Sequence, residues 1–188
     1  HLKKNLSLFV SSLRILIAGA SNSGKSFFAT ELIKRYYLKF TKIVVIGSNL
    51  ENMDDLNIER NDEFNPFDEL EGLIGETLIV FGDIIFKEKL IEIASECFIR
   101  SRHLKISCIF LTQNLFLNNI YFRVISLNCT HVVLFQMRNL KQITYFAKSF
   151  LTDGKIESFS KLYRKEVLNK DYNYLLSIIP NTQIQNYT

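Results

Sequence analysis

Residues 19 to 26 read GASNSGKS. They stand between a short apolar run, LRILIAG (13 to 19), and SFFATELIKRYYLKF (26 to 40), where Ala29, Leu32, Ile33, Tyr36 and Phe40 recur at helical spacing. Strand, glycine-framed loop and helix in that order leave few folds open. The pattern is G-x-x-x-x-G-K-[ST] in the context that gives it meaning. Gly19 and Gly24 let the loop wrap closely, so that backbone N–H groups of Ser21, Asn22, Ser23 and Gly24 turn inward. With those of Lys25, Ser26 and Phe27 at the helix N-terminus they form a cradle for phosphates. Lys25 is the candidate for the β- and γ-phosphates, and the Ser26 hydroxyl for Mg²⁺. The implied cofactors are ATP and Mg²⁺.

The rest of the chain continues the alternation. KIVVIGS (42 to 48), TLIVFGDI (77 to 84), KISCIFLTQN (105 to 114) and THVVLFQM (130 to 137) read as buried strands. Helices are expected over 87 to 102, 139 to 151 and 156 to 168. YNYLLSII (172 to 179) is expected as a last strand, stopped by Pro180. The acidic stretch 49 to 76 contains Pro66 and is expected to be irregular, with a short helix over 66 to 74. Continuous apolar strands separated by helices predict an α/β domain, a mostly parallel sheet covered on both faces, with ligands beyond the carboxyl ends of its strands. With 188 residues and no composition break, the expectation is one domain over 1–188.

Composition narrows the class further. The chain is 47% hydrophobic and 22% charged, which excludes a disordered or collagenous protein. Arg14 interrupts the only long apolar run, LSLFVSSLRILIAGA, so no membrane span is expected. Cys97, Cys108 and Cys129 lack metal-site spacing and are expected as free buried thiols of a reducing compartment. The start HLKKN carries no secretory signal, and His1 in place of an initiator Met is expected of a fragment or a processed chain. A net charge of +4, with basic clusters at Lys3-Lys4, Lys34-Arg35, 100 to 105 and 161 to 165, permits an anionic partner without requiring one.

A glycine-framed loop alone does not name a class. CFIRSRHLKISCIFLTQN (97 to 114) is more informative: a helix ends in two arginines, and the next strand presents Thr112, Gln113 and Asn114 at its carboxyl end. A neutral amide there can hydrogen-bond both a γ-phosphate and an attacking water. It can also be a polar strand cap. GASNSGKS, LIVFGDI and FIRSRHLKISCIFLTQNLF together resemble the FtsK–HerA superfamily of P-loop motors, a RecA-like P-loop NTPase fold. The closest likeness is to genome-packaging ATPases of double-stranded DNA viruses and Maverick/Polinton-type elements.

That resemblance implies an ATPase that translocates double-stranded DNA as a homo-oligomeric ring, pentameric or hexameric, with capsid proteins at a packaging vertex as further partners. It implies an intracellular place, in the host cytoplasm or nucleus, or retention in the virion. It also implies Gln113 as γ-phosphate sensor and Arg102, with Arg100 second and Arg123 weaker, as a finger reaching a neighbouring subunit's site. Family members usually end the third strand with two acids, one for the metal and one for the water. Here Gly82 stands at the first position and Asp83 at the second, so Asp83 is expected as the base, or as the metal's acid if the base lies among Asp54, Asp55 and Glu63. Two rival readings stay open, a small nucleotide kinase and a nucleotide-binding structural subunit with little turnover.

Overall fold

The computed structural model describes residues 12–47, 50, 53, 56–63, 67, 76–82, 84–115, 118–151, 153–169, 171–178 and 183–187. The elements run β1 (Arg14–Ala18), α1 (Lys25–Tyr36), β2 (Lys42–Ile46), β3 (Glu59–Arg60), β4 (Thr77–Gly82), α2 (Glu88–Leu104), β5 (Ile106–Thr112), α3 (Ile120–Asn128), β6 (His131–Leu134), α4 (Lys141–Phe150), α5 (Asp153–Tyr163), β7 (Tyr174–Ile178) and β8 (Gln183–Tyr187). They form one eight-stranded sheet in the order β3-β2-β4-β5-β1-β6-β7-β8. Strands β1 to β6 are mutually parallel, and β7 and β8 close the edge antiparallel.

Period-two alternation on buried strands explains the layers. Ile15 and Ile17 of β1, with Ile43, Val45, Leu78, Val80, Ile109 and Leu111, face α1 through Phe28, Ala29, Leu32, Ile33 and Tyr36. Leu16 and Ala18, with Val44, Ile46, Ile79, Phe81, Cys108 and Phe110, face the helices α2 to α5. Both faces are covered, which is why these strands read as unbroken apolar runs. Arg14 is buried inside β1, and its guanidinium donates to the Phe98 carbonyl of α2 at 3.2 Å. Among the described residues no helix is long and apolar enough to cross a membrane.

The expected strands and helices are present with shifted ends. Helix α1 stops at Tyr36 and tightens into a 3₁₀ turn over 37–39 that still delivers Phe40 to the core. The predicted helix over 156–168 begins at Asp153 and ends in a π-helical stretch over 164–168. Three elements go beyond the expectation: the two-residue β3, helix α3 in what reads as a connecting segment, and β8 in the polar QIQNY. The expected short helix over 66–74 and the stop at Pro180 lie outside the described residues, Phe67 apart. The three cysteines are free and buried, and burial pushes the Cys129 thiol up to about 12. His131, half-buried beside the Thr130 hydroxyl, is held down to about 4 by desolvation, so it is neutral at physiological pH.

Candidate nucleotide site

The loop 19–24 leaves the carboxyl end of β1, at the centre of the sheet, and is tied to both neighbouring strands. Gly19 donates its N–H to Thr112 O at 3.2 Å on the β5 side, and Ala20 donates to Gln136 O at 2.7 Å just past β6. Gly24 then opens α1 with φ 97, a left-handed conformation in which a side chain is strained. No side chain caps this helix, and its first turn holds no acid. The N-terminal amides and the positive end of the helix dipole are therefore left for an anion. A triphosphate fits this donor set.

The predicted phosphate ligands gather here. Lys25 Nζ donates to Ala20 O at 2.7 Å, which folds the ammonium back into the loop it would share with phosphates. Ser26 is exposed in the first turn of α1, where its hydroxyl could hold Mg²⁺ against the phosphates, and Phe27 is exposed beside it. Ser21 Oγ donates to Gln113 Oε1 at 3.2 Å, joining the loop to the end of β5. The strand that leads to Asp83 lies beside the one that presents Gln113. β4 pairs with β5, and its last residue, Gly82, lies opposite Leu111, two residues before Gln113. Asp83, the predicted catalytic and metal-side acid, follows Gly82 and lies outside the described residues, as do Asp54 and Asp55. Glu63 is described and exposed.

A second group, which carries no sequence motif, holds the strand end that presents Gln113. Thr112 Oγ1 donates to Asn114 O at 2.9 Å and accepts from Asn114 N at 3.1 Å. Gln142, in the first turn of α4, accepts from Leu115 N at 2.7 Å and donates from Nε2 to Asn114 Oδ1 at 3.2 Å. Gln113 is therefore flanked by a turn whose backbone and side chain are both fixed. On the far side of the loop, buried Tyr163 donates to Phe135 O at 2.7 Å and accepts from Met137 N at 2.9 Å, pinning the segment that packs under the glycines. Burial pushes that phenol up to about 12.

The end of β2 supports the turn that follows β4. Gly47 has φ 69, and a Cβ there would lie 2.5 Å from Gly82 O and 2.4 Å from Ile84 Cγ2. Only a glycine allows that approach without moving the turn. Asp62 accepts from Gly47 N at 2.7 Å and pairs with Lys87 at 2.7 Å, and Lys87 holds its carboxyl below the usual range. Asp62 is thus an acid near the site that is already engaged as an anion.

Positions 100 and 102 are not brought to this loop. Helix α2 leaves the carboxyl end of β4 and returns to the amino end of β5, over 17 residues, or about 25 Å at 1.5 Å per residue. Positions 100 and 102 lie in its last turns, near the edge of the sheet opposite the P-loop, where Thr77 N donates to Lys105 O. Arg100 is exposed, with its guanidinium 4.7 Å from the Phe67 ring centroid. Arg123 differs. It stands near the start of α3, lining a cleft of about 360 Å³ with Leu115, Phe122, Ser126, Leu127 and Phe150.

No protein-family model and no curated protein sequence matches the chain. Solved structures do. The genome-packaging NTPase B204 from Sulfolobus turreted icosahedral virus 2, in complex with ATPγS, superposes with TM-score 0.65 at 15% identity over 94% of this chain and 97% of that one. B204, the DNA-packaging ATPase from Sulfolobus turreted icosahedral virus, gives 0.64 at 15% identity over 95% and 98%. The cytoplasmic domain of the type VII secretion ATPase EccC from Thermomonospora curvata gives 0.61 at 12% identity, over 93% of this chain and 25% of that one. These proteins are NTPases, and the resemblance read from GASNSGKS and the Thr-Gln-Asn strand end is borne out at the level of fold: the chain has the α/β P-loop architecture of viral genome-packaging ATPases.

Proposed function

We propose that the chain is an ATP-hydrolysing motor that moves double-stranded DNA, in the packaging of a viral or virus-like genome. The observation that carries this reading is the contact between Ser21 and Gln113, which brings a strand-end amide to the phosphate loop of a fold shared with packaging ATPases. Lys25 and the α1 amides bind the β- and γ-phosphates, and Gln113 orients a water at the γ-phosphate. Ser26 would hold Mg²⁺, which when bound neutralises phosphate charge, and Asp83 would accept the attacking water's proton. An assembled ring supplies each site with an arginine from the next subunit.

Measuring ATP hydrolysis with and without duplex DNA, alongside the mass of the assembly, tests the reading. Stimulation by duplex DNA is expected, with DNA affinity falling steeply as salt rises and depending little on sequence, because bound counterions are released from the phosphates. Stimulation by nucleosides instead of DNA would replace the motor with a small nucleotide kinase. DNA binding insensitive to salt would point to another partner.

The acid pair supplies a separate test. With Asp83 as the base, Asp83→Asn should lower turnover at least about a hundredfold while sparing ATP binding, since an amide cannot accept the water's proton. Gly82→Asp should then lower the Mg²⁺ concentration needed for activity, by adding an anion beside the metal's water shell. If Asp83→Asn instead weakens Mg²⁺-dependent binding, Asp83 serves the metal and the base lies elsewhere. The glycine at position 82 also favours one second reading, a nucleotide-binding subunit without turnover. ATP binding with no hydrolysis in an assembled sample would establish it.

A further inference from the structure

The phosphate site leaves open where the nucleotide's base goes, and the sheet order gives the direction. β5 lies on one side of β1, and β6 and then β7 lie on the other. Gln113, beside Ser21, marks the β5 side as the γ-phosphate end. A nucleotide laid across the loop from that end carries its ribose and base toward β6 and β7. Because β7 runs antiparallel to β6, with Leu175 opposite Leu134, the start of β7 lies at the carboxyl end of β6, on the same edge as the P-loop.

Two residues before β7, at that edge, stands Tyr172. It is 73% exposed and has φ 60, a left-handed conformation rarely adopted by an aromatic residue. Its ring packs over the outside of the loop: a Cβ on Gly24 would lie 3.2 Å from Tyr172 Cδ1. The turn that carries it is anchored by the two residues that follow. Asn173 Nδ2 donates to Glu166 O at 3.1 Å, and Tyr174 packs on Phe28 and Phe135 with centroids 4.7 and 5.3 Å away. Phe27, 72% exposed in the first turn of α1, is a second open ring on the segment that follows the phosphate ligands. Burial does not account for Tyr172, since most of its ring faces solvent, and strain of this kind is retained where the surrounding structure fixes it for a use.

We infer that Tyr172 is the platform on which the base of the bound nucleoside triphosphate stacks, an inference that rests on the P-loop reading above. The flat ring offers a π-face to any base, so it contributes affinity for nucleotides over bare polyphosphate rather than choice among bases.

The test compares ATP with inorganic tripolyphosphate, which has the phosphates and no base, on the full chain. Tyr172→Asn removes the ring and keeps a residue that tolerates the left-handed turn. It should weaken ATP binding about tenfold or more, the order expected for one lost stack, and leave tripolyphosphate binding unchanged. Tyr172→Phe should bind ATP like the wild type. The chain contains no tryptophan, so Tyr172→Trp makes a single reporter whose fluorescence ATP should quench and tripolyphosphate should not. Equal weakening of both ligands in Tyr172→Asn would show that the ring only supports the loop. No change in either would remove it from the site. A wild-type chain that binds neither ligand would overturn the P-loop reading and the platform with it. If the wild type binds both while ATP leaves the fluorescence of the Tyr172→Trp protein unquenched, the platform alone is overturned.

Discussion

Lys25→Ala is expected to leave no measurable nucleotide turnover while the fold persists. The ammonium is the one side-chain cation that the loop 19–26 carries, and its bond to Ala20 O keeps it folded over the cradle. Aimed at the β- and γ-phosphates, it would stabilise both the bound nucleotide and the charge that builds on the transferring phosphoryl, so its loss acts on binding and on the barrier together. The backbone N–H groups and the α1 dipole remain and retain weak phosphate affinity, but they do not replace a charge that moves with the reaction. Alanine at the first helical position is a strong helix former, and Phe28, Ala29, Leu32 and Ile33 still anchor α1 to the sheet. Circular dichroism and the melting temperature should therefore be near wild type. Turnover retained at the wild-type rate in a folded Lys25→Ala protein would end the P-loop reading.

What was legible in the sequence follows from how local each signal is. The P-loop and the strands 14–18, 42–46, 77–82 and 106–112 declare themselves because two-sided burial makes each a short unbroken apolar run. Helix α3 is less visible. Only Phe122 and Ile125 of its nine residues are buried, and its clearest mark is Asn119, whose side chain caps Phe122 N at 3.1 Å. Among the described residues β8 is a polar edge strand paired to β7 on one side, and no apolar run announces it. The candidate site divides the same way. Gln113 is conspicuous at a strand end, whereas Gln142 reaches its partners Asn114 and Leu115 across 28 and 27 residues of chain. Tyr172 meets Gly24 through the antiparallel turn of β7, and Gly47 meets Gly82 through the pairing of β2 with β4. Those partnerships exist only once the sheet is assembled, and periodicity does not report them.

Arg102→Ala is expected to leave ATP binding near normal and to lower turnover in the assembled state by about 10³ to 10⁵, the range for an arginine supplied in trans. The path of α2 is the argument. It carries position 102 to the amino edge of the sheet, about a helix length from the chain's own Gln113 and Lys25, so a phosphate it could reach belongs to another subunit. An arginine acting there stabilises the neighbour's transition state and contributes nothing to its own ground state, which separates hydrolysis from binding. Mixing the Arg102→Ala and Lys25→Ala proteins makes the prediction strict. Neither has activity alone, but a mixed ring contains interfaces where an intact P-loop meets an intact Arg102, so part of the turnover should return. Arg100→Ala should have a smaller effect, because that guanidinium is already stacked on Phe67 within its own chain. Arg123 is the competing assignment, since it stands on α3 beside Leu115, close to the strand end that presents Gln113. If Arg123→Ala abolishes turnover and Arg102→Ala does not, or if demonstrably mixed rings of the Arg102 and Lys25 variants stay inactive, position 102 only caps its helix, where a cation at the C-terminal turn is favoured by the helix dipole in any case.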